Sequence, residues 1–95
     1  MDEIRLDGGF WQTADDFYVA YLTAVGAPDW HGRNLDALWD SLTGGDINRR
    51  NPPFRVRIAG FAHMANNARQ MVERFVAVVE EAKAAGHAVE VEVER

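Results

Sequence analysis

Two kinds of apolar periodicity, and the order in which they occur, constrain this chain most. Three short segments alternate residue by residue, and a helical stretch separates each from the next. Glu3-Ile4-Arg5-Leu6 is the first; Phe54, Val56 and Ile58 alternate with Arg55 and Arg57 in the second; Ala88 to Glu94 alternates between valine and glutamate in the third. A period of two marks a half-buried strand. Ala14, Phe17, Tyr18, Tyr21, Leu22 and Val25 recur instead at helical spacing. Thr13, three residues before Asp16, resembles a capping box, and Gly26 is a natural stop, so the first helix is predicted over 14 to 25. Asn34 is an N-cap for a second helix with Leu35, Leu38, Trp39 and Leu42 as its apolar stripe, ending at Gly44-Gly45. After a short or irregular helix over Phe61 to Asn67, a long one runs to about Ala85 with Ala68, Met71, Val72, Phe75, Val76, Val79 and Ala82 on one face.

The resulting order, β-α-α-β-α-β, allows parallel strands joined by right-handed crossovers. Strands covered on both faces read as continuous apolar runs, and these do not. Ile4, Leu6, Phe54, Val56, Ile58, Val89, Val91 and Val93 fall on one face, and the arginines and glutamates on the other. The expectation is an α/β two-layer sandwich: a three-stranded parallel sheet, helices on one face, solvent on the other. With 95 residues and no repeat or linker, one domain over 1–95 is expected. Asp46 to Pro53, with Arg49-Arg50 and Pro52-Pro53, is expected to be an exposed loop.

Composition narrows the function classes. A net charge of −5 argues against direct binding of nucleic acid and leaves a basic protein partner open. The absence of cysteine excludes disulfides, thiol nucleophiles and thiolate metal sites. Met1-Asp2-Glu3 lacks the basic start of a signal peptide, and no apolar run approaches a membrane span, so a cytoplasmic protein is expected.

The second helix carries the functional signal. At about 100° per residue, Asp36 and Asp40 share one polar flank with Thr43, and Trp39 lies between that flank and the apolar stripe. Like charges four residues apart cost a helix ~0.2–0.5 kcal/mol. Asp36, in the first turn, recovers some of that from the helix dipole, whereas Asp40 does not. By themselves these residues also describe an ordinary solvated acidic flank. Acid–base catalysis would need a cleft to shift a carboxylate pKa, and an exposed short helix offers none. His31 with the two aspartates has no diagnostic metal-ligand spacing, and His63 and His87 read as isolated surface residues. No cofactor or metal is expected.

The run Pro28-Asp29-Trp30-His31-Gly32-Arg33-Asn34-Leu35-Asp36-Ala37-Leu38-Trp39-Asp40-Ser41-Leu42-Thr43-Gly44 strongly resembles the signature of the barstar family, and Glu81-Ala82-Lys83-Ala84 with Gly86 is a second match. The order of elements agrees from end to end. The resemblance implies the same three-stranded parallel sheet and an intracellular, non-enzymatic inhibitor of a small, basic, secreted ribonuclease of barnase or related guanyl-specific type. Such inhibitors plug the enzyme's groove with the second helix and the loop before it, as a monomer in a 1:1 complex. By position, Asp40 resembles the central carboxylate of the interface, Asp36 and Glu81 two further acidic contacts, and Trp39 an aromatic at its edge. Trp30 stands where the family has a tyrosine, and Gly32, Asn34, Thr43 and Gly44 match positions that shape the surface. Carboxylates placed this way can occupy a phosphate site and pair bidentately with arginine. Gly45 replaces a family tryptophan, His31 replaces an aromatic, and the 46–53 loop is longer than the family pattern. The alternative is a non-inhibitory module on the same fold that docks a different basic protein.

Overall fold

A computed structural model describes residues 1–95. The elements are β1 (Asp2–Asp7), α1 (Ala14–Val25), α2 (Leu35–Thr43), β2 (Phe54–Ala59), a short 3-10 turn (Phe61–His63), α3 (Asn66–Ala84) and β3 (Val89–Val93). Local chemistry sets their ends. The Thr13 side chain accepts from the Asp16 amide, and the Asp16 carboxylate accepts from the amides of Gln12 and Thr13. Those two amides hold the Asp16 carboxyl below its ordinary pKa. Gly26, at φ 65°, closes α1 in the left-handed conformation that glycine tolerates best.

The sheet is wholly parallel in the order β1-β2-β3, with Ile4 beside Val56 and Val56 beside Val91. In that order both crossovers step the same way across the sheet. Right-handed connections therefore place every helix on one face, as the strand alternation predicts. Ile4, Leu6, Phe54, Val56, Ile58 and Val89 join Phe17, Tyr21, Val25, Leu38, Leu42, Val72, Phe75 and Val79 in a single core cluster. Phe17 organises its centre: its ring lies 5.7 Å from Tyr21, stacked, and 4.9 Å from Phe75. The open face is laced with ion pairs. Arg55 meets Glu90 at 3.1 Å, and Arg57 meets Glu92 at 3.2 Å. Arg5 and Arg57 are register partners, and Glu3 lies 3.7 Å from one and 3.8 Å from the other, which offsets their repulsion. Exposed pairs of this kind contribute about 0.2–1 kcal/mol each.

The 46–53 segment departs from the expected exposed loop. Asn48 is buried, and its side-chain amide donates to the buried Ser41 Oγ of α2. The Arg50 guanidinium donates to the Asp2 carboxylate at 2.8 Å and to the Glu3 carbonyl at 3.0 Å, and holds the Asp2 carboxyl below its usual range. The backbone amides of Arg49 and Arg50 donate to the carbonyls of Gly26 and Val25. The polar composition that suggested exposure instead serves hydrogen bonds to α2, to β1 and to the end of α1, although the buried Asn48 Oδ1 accepts none.

Tyr21 is fully buried beside Ser41, with no well-formed hydrogen bond at its hydroxyl, and burial pushes its pKa from 10.0 up to about 12. The unfolded chain loses this proton near pH 10 while the folded protein keeps it. Stability is therefore full below pH 10 and falls as the pH rises toward 12, by about 3 kcal/mol across that window. Urea denaturation of wild type and Tyr21→Phe between pH 9 and 12 checks this. The decline should be markedly smaller in the variant, and an equal decline in both would assign it elsewhere.

Candidate functional site

The local sequence builds α2 as a short helix anchored at both ends. Asn34 Oδ1 accepts from the Ala37 amide at 2.8 Å, and the Arg33 guanidinium grips both Asp15 carboxylate oxygens at 2.7 and 2.9 Å. These contacts fix the 27–34 loop against the start of α1. At the other end Thr43 Oγ1 donates to the Trp39 carbonyl and the Gly44 amide donates to the Asp40 carbonyl, at 2.8 and 2.7 Å. Leu38, Ser41 and Leu42 are the buried residues of the helix.

That buried trio corrects the predicted stripe. Leu35 is 38% exposed and Trp39 is half-buried, while Ser41 is buried at 1%. The helix is thus turned so that its core line runs through Leu38, Ser41 and Leu42. Asp36 and Asp40 consequently lie on the side facing away from the core, both exposed. Leu35 and Trp39 move to the border, where they line a groove of about 320 Å³ with Asp36, Arg74, Val78 and Glu81. The fold therefore brings Glu81 of α3 into one groove with Asp36, although 45 positions separate them in sequence. Trp30 projects from the preceding loop at 75% exposure. Its neighbour His31 is buried, with Nδ1 2.8 Å from the Gly32 carbonyl. No cluster of metal-ligating side chains is present, and His31 does not join the aspartates. Of the other histidines, His63 is exposed as expected and His87 is half-buried.

Two glycines shape this surface through close approach. A Cβ on Gly32 would lie 2.7 Å from the Asn34 side-chain nitrogen, and one on Gly44 would lie 2.7 Å from the Asp40 carbonyl oxygen. The first neighbour is the end of the Asn34 side chain, which can shift at some cost to its cap on Ala37; the second is helix backbone and cannot. Gly44→Ala should therefore destabilise the protein by about 1–3 kcal/mol, read as a lower urea midpoint with an unchanged slope. Gly32→Ala should cost less. Equal effects would show that the end of α2 yields as readily as a side chain.

Charge is distributed unevenly over the fold. Asp2, Glu3, Asp15, Glu73, Glu90, Glu92 and Glu94 are held in ion pairs, and Asp7 and Asp16 accept from backbone amides. Asp29, Asp36, Asp40, Asp46, Glu80 and Glu81 are in none of these ion pairs. They sit on α2, on the loops at its two ends and on the last turns of α3. Five of these six carboxylates, all but Glu80, lie on the second helix, in the loops at its ends or in the groove it forms with α3. Sequence reasoning missed Arg74, the one cation lining the α2–α3 groove. Its position seven residues before Glu81, two helical turns away on the same face of α3, was the available signal.

Residues 1–94 match the family described as Barstar (barnase inhibitor). The chain belongs to the barstar family. Over 44 residues it is also 41% identical to a Bacillus subtilis (strain 168) protein named "Putative ribonuclease inhibitor YrdF", a match that takes in 46% of this chain and 48% of that protein. The chain thus matches about half the length of that curated relative. No helix of this barstar-family chain is long and apolar enough to cross a membrane.

Proposed function

We propose that this barstar-family protein inhibits a small, basic, secreted ribonuclease of barnase or related guanyl-specific type. It acts in the cytoplasm as a monomer in a 1:1 complex and performs no catalysis. The observation that carries this reading is the gathering of uncommitted carboxylates on and around α2. A ribonuclease groove is lined with cations that hold phosphate. Asp40 and Asp36 would occupy that phosphate position, with Glu81 adding charge from α3 and Trp30 and Trp39 packing at either side. Asn34 and Thr43 secure the two ends of the helix, and Gly32 and Gly44 let the backbone come close there. The inhibitor supplies negative charge without a scissile bond. Asp36 and Asp40 repel one another weakly in the free protein, and a cationic groove relieves that repulsion on binding.

The test is an inhibition titration against a panel of small basic microbial ribonucleases, with calorimetry for stoichiometry. At least one member should be inhibited at a 1:1 ratio. Its association rate should fall steeply as salt rises from 0.05 to 0.5 M, because opposite net charges steer the encounter. No binding to any member at micromolar concentration would overturn the proposal.

A further inference from the structure

A second recess borders the α2 face and is separate from the groove beside Glu81. It is a cleft of about 260 Å³ between the end of α2, the 46–53 loop and the turn from α3 to β3, lined by Thr43, Gly45, Asp46, Pro52, Gly86 and His87 among others. Glycine leaves two of its walls open: nothing lies within 4 Å of where a Cβ would stand on Gly45 or on Gly86.

Asp46 supplies its one carboxylate, and the His87 imidazole is the one basic side chain in its lining. No lysine or arginine lines it, and Asp46 is an exposed carboxylate outside every ion pair of the fold. The C-terminal ends of α2 and α3 both reach it, and helix C-termini carry partial negative charge. At the end of α3 the carbonyls of Glu81, Ala82 and Lys83 accept from the amides of Ala85, His87 and Gly86. At the end of α2 the carbonyls of Leu42 and Thr43, two residues that line the recess, accept from no amide of the chain. Such a recess, with free acceptors, a free carboxylate and an apolar proline wall, fits a cationic side chain with an aliphatic stem. Thr43 belongs both to this cleft and to the proposed ribonuclease-binding face.

We propose that this cleft seats a basic side chain, an arginine or lysine, of the ribonuclease bound by α2, with Asp46 as its counter-charge. The inference rests on the proposed inhibitory function and adds a specificity-determining contact to it. The cleft discriminates among ribonucleases by whether a cation stands at the matching place on the rim of the enzyme's groove.

The experiment uses the ribonuclease from the panel that the wild-type protein inhibits. Asp46→Lys should weaken its Kd at least tenfold, Asp46→Asn about threefold, and Ala88→Trp, which fills part of the cleft from another of its lining residues, about tenfold. All three should keep the wild-type Tm, because Asp46 and Ala88 are exposed. Double-mutant cycles of Asp46→Asn against each arginine and lysine of the ribonuclease, run at 0.5 M salt, distinguish a seated side chain from diffuse attraction. One residue should couple at least threefold and the rest should not couple. Coupling spread over many residues, or an unchanged Kd in Asp46→Lys while Asp40→Ala abolishes binding, overturns the cleft and leaves the inhibitory function standing. Failure of every ribonuclease to bind overturns both. Sedimentation of the free protein tests the other occupant: a dimer lost in Asp46→Lys would assign the cleft to a second copy and overturn the proposal.

Discussion

Asp40→Ala should abolish most of the binding to the target ribonuclease, weakening Kd by about 10²- to 10³-fold while leaving the fold intact. The side chain lies on the face of α2 opposite the buried Leu38, Ser41 and Leu42, is exposed, and makes no ion pair within the chain. Removing it costs the free protein nothing, and it lifts a like-charge pair with Asp36. In the complex the same deletion leaves a cation of the enzyme buried without a partner, a loss on the order of 3–5 kcal/mol for a fully desolvated pair and less where water enters. Asp36→Ala should cost about tenfold, because Asp36 lines the groove that also holds Arg74, whose positive charge already offsets part of its field. Calorimetry on the two variants and the wild type measures the difference. An unchanged Kd in Asp40→Ala, with the thermal midpoint preserved, would remove this residue from the interface.

The largest expected effect on stability comes from Phe75→Ala. Phe75 is fully buried, with its ring 4.9 Å from Phe17 and 5.3 Å from Tyr21, so it joins α3 to α1 at the centre of the core. Deleting a ring there removes its transfer energy and leaves a cavity the packed helices cannot fill, at about 3–5 kcal/mol. Domains of this size are stable by only about 5–15 kcal/mol in all. The thermal midpoint should fall by roughly 12–40 °C, since each kcal/mol shifts a domain of this size by ~4–8 °C. Urea unfolding should show a lower midpoint with the slope retained. A loss under about 1 kcal/mol would mean that the aromatic cluster collapses around the gap, contrary to the close packing of protein interiors.

These two residues illustrate different routes to legibility. Phe75 was readable because it lies on a stripe of helical period that includes Ala68, Met71, Val72, Val79 and Ala82, all of which are buried. Asp40 was readable as a member of an acidic flank. The match over residues 1–94 places the chain in the barstar family, and the role proposed for that flank rests on the resemblance together with its exposure. His31 shows what residue type leaves open: the spacing already gave no reason to group it with the two aspartates, but only the fold places it buried against the Gly32 carbonyl in the loop.

The sequence by itself determined the elements, their ends and the layering. Period and capping are local properties that a few neighbouring residues settle, and strand alternation with the crossover rule gives a parallel sheet covered on one face; the order β1-β2-β3 came from the structure. Only the tertiary structure decided the rotation of α2. Its stripe of Leu35, Leu38, Trp39 and Leu42 spans an arc wide enough to be buried along either edge. The choice was made by α3 and by Asn48, which reaches Ser41 from the loop beyond the helix. That rotation exposes Leu35, turns both aspartates outward and places Asp36 in one groove with Glu81 and Arg74. The meeting of Asp36 with Glu81 and the cleft around Asp46 each depend on segments far apart in sequence, which no local periodicity encodes.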